Sequence, residues 1–259
     1  IFCFRGGLRS KIAQEWLREN NTVVERINGG FKKVRNKILE NFQNSQIYSK
    51  KWMILGGLTG SGKTVLLNKF SHSIDIEGIA NHRGSAFGRT NTPQGSCANF
   101  ENILLFQYLN NNSSTILLED ESRTIGKATL PNNWYSKMQS SRLIVLEIQM
   151  EERLENIFKE YIEAELKISD NKIFLKNKYL TALEKIKKRL GGELYEKIQI
   201  LMEDAFENNS DKNHKEWIYQ LLHNYYDPMY NHKISKRKNS IIHRGDFKSC
   251  QDYIGSNIH

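Results

Sequence analysis

Gly57-Leu58-Thr59-Gly60-Ser61-Gly62-Lys63-Thr64 fits the spacing G-x-x-x-x-G-K-[ST] at every position. Residues of these types at this spacing bind phosphate. The glycines let successive backbone N–H groups turn inward around anionic oxygens, and the lysine ammonium neutralises charge. Gly57, Gly60, Ser61, Gly62 and Lys63 are therefore candidate phosphate ligands, and the Thr64 hydroxyl is a candidate Mg²⁺ ligand. Such a loop needs an acid at the end of a neighbouring strand. Thr115-Ile116-Leu117-Leu118-Glu119-Asp120-Glu121 supplies adjacent carboxylates after an apolar run, and Glu119 and Glu121 are assigned to the cofactor site. The motif specifies a polyphosphate rather than a base. The guanine-reading N-K-x-D pattern is absent, which argues against a GTPase.

A second loop suits nucleophilic chemistry. In Cys3-Phe4-Arg5-Gly6-Gly7-Leu8-Arg9-Ser10 a cysteine follows a short apolar start and precedes a helical pattern. A turn there would aim backbone N–H groups and a helix N-terminus at the sulfur, and Arg5 and Arg9 add positive charge. All three effects favour the thiolate. Cys97 and Cys250 lack such surroundings and read as structural.

The elements that must position these loops follow from periodicity. Ser10 reads as the cap of a helix running to Arg18, and Thr22–Ile27 as a strand stopped by Asn28-Gly29-Gly30. Trp52–Leu55 is a buried strand entering the phosphate loop, and Thr64–Phe70 the helix leaving it. Thr115–Leu118 and Leu143–Ile148 are further strands, with a helix over Phe100–Leu109 between them. Strands alternating with helices predict an α/β fold with a parallel sheet. From Glu151 the apolar period becomes helical until Asp227-Pro228, which reads as its break. The expected organisation is residues 1–36 around the cysteine loop, a linker at 37–51, a phosphate-loop α/β domain at 52–150, a helical part at 151–230 and a basic tail at 231–259.

Composition narrows the class. The chain has 259 residues, 39% of them hydrophobic and 26% charged, which supports a packed core and excludes global disorder. No apolar run is long enough to span a bilayer, no signal peptide is visible, and the three cysteines make no disulfide framework. These features predict a cytoplasmic protein with no membrane partner, and leave its oligomeric state open. The net charge of +9 is concentrated at the two ends: residues 1–51 carry 11 basic and 4 acidic side chains, and residues 233–259 carry 6 and 2. Such an excess suits a polyanion such as nucleic acid, or equally a solvated basic surface.

The two loops together carry a resemblance. Residues 3–9 resemble the active-site loop of a rhodanese domain, and Asn28-Gly29-Gly30-Phe31 resembles the Gly-Gly that ends one. A rhodanese loop followed by a phosphate loop is the arrangement of the tRNA 2-selenouridine synthase family. Similar stretches include Glu77–Gly88, Phe100-Glu101-Asn102, Glu119–Arg123 with Ile125-Gly126 and Leu130-Pro131, and Tyr226-Asp227-Pro228 with Tyr230. The resemblance covers the chain to about Tyr230 and is weak beyond. It departs from the family at Thr92-Pro93-Gln94, where a glutamine is expected before the proline. Only two residues precede Cys3, so the chain reads as an amino-terminally truncated member holding a rhodanese remnant.

The resemblance implies a two-stage reaction on the wobble uridine of certain tRNAs. The 2-thiouridine would be S-geranylated from geranyl diphosphate, and selenophosphate would then replace the geranylthio group with selenium. It also implies that Cys3 carries selenium as an S-selanylcysteine, with Arg5 and Arg9 beside it, and that His82 and Arg83 bind phosphate. Arg153 resembles the lid arginine of phosphate-loop kinases, although a helix-surface position explains it equally. The expected tRNA surface is basic: Lys32, Lys33, Arg35 and Lys37; Lys185, Lys187, Lys188 and Arg189; and Lys236, Arg237 and Lys238. Two other readings stay open: an ATP-dependent phosphate-loop kinase, and a nucleotide-gated RNA-binding module without chemistry. A plain thiosulfate sulfurtransferase would leave the phosphate loop without a role.

Overall fold

The apolar runs assemble into one sheet, in a computed structural model that describes residues 1–169 and 171–257. In chain order the strands are β1 Lys51–Gly57, β2 Ser73–Ile74, β3 Thr115–Glu119, the small antiparallel pair β4 Thr124–Ile125 and β5 Ala128–Thr129, β6 Arg142–Leu146 and β7 Ile241–Gly245. Five of them form a sheet in the order β2-β3-β1-β6-β7, with every pairing parallel. Helices α1 Leu8–Glu19 and α2 Gly30–Gln43 precede it. Between its strands lie α3 Lys63–Leu67, α4 Ile76–Ala80, α5 Cys97–Asn110 and α6 Asn132–Ser140.

A parallel sheet covered on both faces explains why its strands read as unbroken apolar runs. Along β1, Trp52 and Ile54 enter one core with Leu104, Tyr108, Ile116 and Trp134. Met53 and Leu55 alternate into the opposite core with Leu66, Leu67, Leu117 and Ile144. Trp52 and Trp134 pack with ring centroids 4.7 Å apart.

A helical unit follows β6: α7 Met150–Ile157, α8 Ala164–Ser169, α9 Lys172–Leu190, α10 Gly192–Glu207 and α11 Asp211–Leu221. Its separate core holds Tyr179, Leu183, Ile198, Met202 and Trp217 on the expected helical spacing. Two π-helical turns interrupt it, at Phe158–Glu163 and Leu222–Tyr226. Helix α12 Asp227–Lys236 then leads back to β7, and α13 Phe247–Asn257 closes the fold. Among the described residues, no helix is long and apolar enough to cross a membrane.

Several expectations need correction. Asp227-Pro228 does not end the helical run. Pro228 sits in the first turn of α12, where its missing N–H is tolerated, directly after the widened turn at Leu222–Tyr226. The expected basic tail at 231–259 is folded over its described residues, 231–257. They hold the end of α12, the edge strand β7, and α13, whose Cys250 and Ile254 are fully buried against the sheet. Thr22–Ile27 forms no strand among the described residues: the Ile27 N–H donates to the Ile1 carbonyl at 3.1 Å, and Val23 is 89% exposed. Ser10 is not a cap. The helix begins at Leu8 behind Gly7, and the Ser10 hydroxyl turns back to donate to the Gly7 carbonyl at 3.0 Å.

Candidate active site

Strand β1 stops at Gly57, and the chain must turn sharply to enter α3. Gly60 makes that turn at φ +79°, where a Cβ would lie 2.7 Å from the Ile157 side chain and 2.9 Å from the Arg153 carbonyl. The loop is thus moulded against α7 as well as β1. Arg153 fixes this contact. Its Nε donates to the Thr59 carbonyl at 2.8 Å, and its two terminal nitrogens donate to Asp227 at 3.0 and 2.6 Å. It is buried, not on a helix surface. One guanidinium therefore joins the phosphate loop, the helical unit and the start of α12.

Lys63 folds over the loop and donates to the carbonyls of Gly57 and Leu58, at 3.2 and 3.1 Å. Helix α3 has only five residues, so its dipole is small, and the loop N–H groups and Lys63 supply most of the positive field. Ser61 is buried, and its Oγ has no hydrogen-bond partner.

The acids arrive from two strand ends. β3 runs beside β1 with Leu55 opposite Glu119, which carries the acidic run to the phosphate loop. Glu119 and Glu121 face the loop. Asp120 faces away, ion-paired with Arg237 at 2.7 Å and Lys233 at 3.2 Å. Glu77 joins them from α4, after β2. Glu77, Glu119 and Glu121 each place a carboxylate oxygen within 4.8 Å of the others. Burial pushes all three carboxyls above their ordinary range; repulsion from Glu121 adds to the rise at Glu77 and Glu119, while Lys63 and Lys233 oppose the rise at Glu121. Glu119 is buried with Oε1 unpartnered, while Thr64 hydrogen-bonds the same carboxylate. Three crowded carboxyls, an orphaned oxygen and a hydroxyl on one side of a phosphate loop form a hard-oxygen donor set that fits Mg²⁺.

Together these groups line a cavity of about 400 Å³. Gly60, Gly62, Lys63, Thr64, His82, Arg83, Glu119 and Glu121 line it, so the structure unites most of the expected cofactor residues; Gly57 and Ser61 sit behind them. Arg83 is already engaged: its Nε lies 2.8 Å from Glu160 and its Nη1 3.2 Å from Glu165, and its plane covers the Tyr161 ring. His82 is held toward the neutral form by burial and by Lys185, and its Nδ1 is unpartnered.

The site also contains Glu77, Tyr161, Tyr230 and Ser85, which no spacing in the sequence singled out for it. Glu77 and Tyr230 lie in stretches that resembled the family, but their convergence depends on chain crossings. Two of the expected tRNA-contacting arginines are not available. Arg237 is buried against Asp120 and the carbonyls of Met138 and Ser141, and Arg35 pairs with Glu101 and Asn102.

Cys3, Arg5 and Arg9 line no part of this cavity. The Cys3 thiol is nonetheless brought down to about 6, chiefly by the Ser10 hydroxyl at 3.4 Å, against some desolvation, with backbone N–H groups of Ser10, Gly7 and Arg5 adding to it. The cause is hydrogen bonding rather than the arginine charges, since Arg5 and Arg9 point into solvent. Cys250, by contrast, is pushed up to about 11 by burial.

Known proteins sharing this sequence pattern are consistent in kind. The family model described as the tRNA 2-selenouridine synthase AAA domain matches residues 50–259, well past Tyr230. A tRNA 2-selenouridine synthase from Sulfurovum sp. (strain NBC37-1) is 39% identical over 98% of this chain and 73% of its own length. One from Marinobacter nauticus is 39% identical over 95% and 70%, and one from Shewanella frigidimarina 36% identical over 98% and 73%. No solved structure gives a significant match.

Proposed function

The chain belongs to the tRNA 2-selenouridine synthase family, and from that premise we propose that it S-geranylates a wobble 2-thiouridine of tRNA and then replaces the geranylthio group with selenium. Geranyl diphosphate and selenophosphate are the proposed co-substrates. The observation that carries this reading is the cavity in which Lys63 and the loop N–H groups face Glu77, Glu119, Glu121 and Thr64. In the first stage the uridine sulfur bonds to the geranyl C1 carbon. The C1–O bond breaks, its electron pair leaves with pyrophosphate, and N3 of the base loses a proton. Negative charge grows on the leaving oxygens, where Lys63 and the backbone donors of residues 60–64 stabilise it. Mg²⁺ held by Thr64, Glu119, Glu121 and Glu77 would offset the charge of the carboxylates and of the diphosphate. Arg153 and Asp227 keep the loop in register with the helical unit during the reaction.

In the second stage selenium of selenophosphate bonds to C2 of the base, the C2–S bond breaks and geranylthiol leaves, and water cleaves the Se–P bond to release phosphate. Cys3, the low-pKa thiol, is assigned to this delivery. Cys3 is not among the residues lining the cavity, so the two stages can be tested separately. The test is mass spectrometry of nucleosides from 2-thiouridine tRNA incubated with the protein and geranyl diphosphate, before and after selenophosphate is added. The expected first product is S-geranyl-2-thiouridine, lost in Lys63→Ala. Consumption of ATP with no change in any nucleoside would overturn the proposal in favour of a kinase.

A further inference from the structure

The cavity beside the phosphate loop is acidic, but a second one of about 510 Å³ adjoins it and has the opposite character. Not one of its lining residues is a carboxylate. Lys185 and Arg189, one helical turn apart on α9, form one wall, and Lys233 of α12 contributes from the other. Between these cations lie Tyr225 and the 44%-exposed Met229. His82, Ser85 and Tyr230 line both cavities and form the threshold between them. At that threshold the His82 Nδ1 is buried without a partner.

We propose that this groove holds an unpaired nucleotide of an RNA loop, with its flanking phosphates on Lys185 and Arg189 and its base passing the His82–Ser85–Tyr230 threshold into the phosphate cavity. The proposal rests on the reading that the substrate is tRNA. Single-stranded RNA is recognised through splayed bases on flat side chains and phosphates on exposed cations, and the groove supplies both. Charge separation supports the same occupant. The phosphate-loop donors next door are taken by the diphosphate in the proposed reaction, so the RNA phosphates stay on the groove cations and the uncharged base is the part that crosses. Lys233 is partly spent on Asp120, which leaves Lys185 and Arg189 as the main phosphate contacts.

The experiment uses the full chain and a dye-labelled RNA stem–loop with unpaired uridines, titrated at several salt concentrations. Lys185→Glu with Arg189→Glu is expected to weaken binding by roughly tenfold or more, and to flatten the slope of log K against log salt by about 1.4. The matched control, Lys197→Glu with Lys212→Glu, makes the same charge change at exposed sites on α10 and α11 and is expected to change affinity by less than about twofold. Tyr225→Ala is expected to reduce the preference for the stem–loop over a blunt duplex. Equal weakening by both double variants would overturn the proposal, since only net charge would then matter. Competition by free uridine monophosphate as effective as by the stem–loop would overturn it too, as would absence of RNA binding by the wild-type chain. Thermal stabilisation by pyrophosphate, measured alongside, reports on the phosphate cavity independently. Its loss with groove dependence intact would sink the diphosphate reading alone.

Discussion

Two glycine-bearing loops lead into helices in this chain, and they are held in opposite ways. The phosphate loop emerges from a central strand whose Ile54 and Leu55 are fully buried, and it is clamped from outside by Arg153 and Ile157. The Cys3 loop is held by local hydrogen bonds, with the Arg26 guanidinium donating to the Gly6 carbonyl at 2.6 Å and Ser10 to the Gly7 carbonyl. Phe31 and Lys32 donate their N–H groups to the carbonyls of Cys3 and Phe4, at 3.1 and 2.9 Å. A Cβ on Gly30 would lie 2.0 Å from the Cys3 carbonyl, so the two segments touch because neither has a side chain in the way. Around it Phe2, Phe4, Leu8 and Trp16 are exposed, and α1 buries only Ser10. A local hydrogen-bond set is enough to tune one thiol. A site that collects acids from separate strands needs a sheet to bring them together.

That contrast can be broken most severely at Lys63. Lys63→Ala is expected to reduce geranyl transfer by roughly 10²–10³-fold, as loss of a charge stabiliser does. Alkylation of Cys3 by iodoacetamide should not change. Parallel loss of both would show that the loops act as one unit. Next comes the clamp. Arg153→Ala strands a largely buried Asp227 and is expected to cost about 3–5 kcal/mol in urea unfolding. Arg153→Lys should recover little of it, because an ammonium cannot reach Thr59 and both Asp227 oxygens together.

Gly60→Ala places a methyl group against Ile157 and the Arg153 carbonyl in left-handed backbone, for an expected cost of about 1–3 kcal/mol and weaker pyrophosphate binding. On the other loop, Ser10→Ala should leave stability near wild type and move the Cys3 titration up from about 6 toward its ordinary value of 9.0. Thiolate forms as pH rises through the pKa. At pH 7 the wild type is therefore mostly thiolate and the variant mostly thiol, and the pH profile of alkylation reads the difference. The smallest effect belongs to Gly7→Ala. A Cβ there meets nothing within 4 Å, so stability should change by less than about 0.5 kcal/mol and the Cys3 midpoint should stay in place.

The sequence alone determined the parts whose physics is local. The spacing of Gly57–Thr64 demanded a strand before and a turn after, and β1 and α3 occupy those places. Unbroken apolar runs at 52–55 and 115–118 required a strand covered on both faces, and a parallel sheet is the arrangement that provides it. Helical periodicity from Glu151 to Tyr226 located the helical unit because a 3.6-residue stripe needs only its own helix to be read.

Only tertiary structure decided what crosses the chain. Glu77 meets Glu119 because β2 lies beside β3, a neighbour relation that no spacing between residues 77 and 119 encodes. Asp120 left the site because consecutive side chains at a strand end point to opposite sides, toward Arg237 in this case. Residues 231–259 looked like a basic tail since the short edge strand at 241–245, with its polar residues, has little periodic signal. That segment is a strand because β6 has a free edge and Cys250 and Ile254 have a sheet face to cover. Pro228 looked like a helix stop because proline's missing N–H is costly in a regular helix. Here the regular hydrogen-bond pattern is already interrupted by the π turn before it, and Pro228 falls in the first turn of α12.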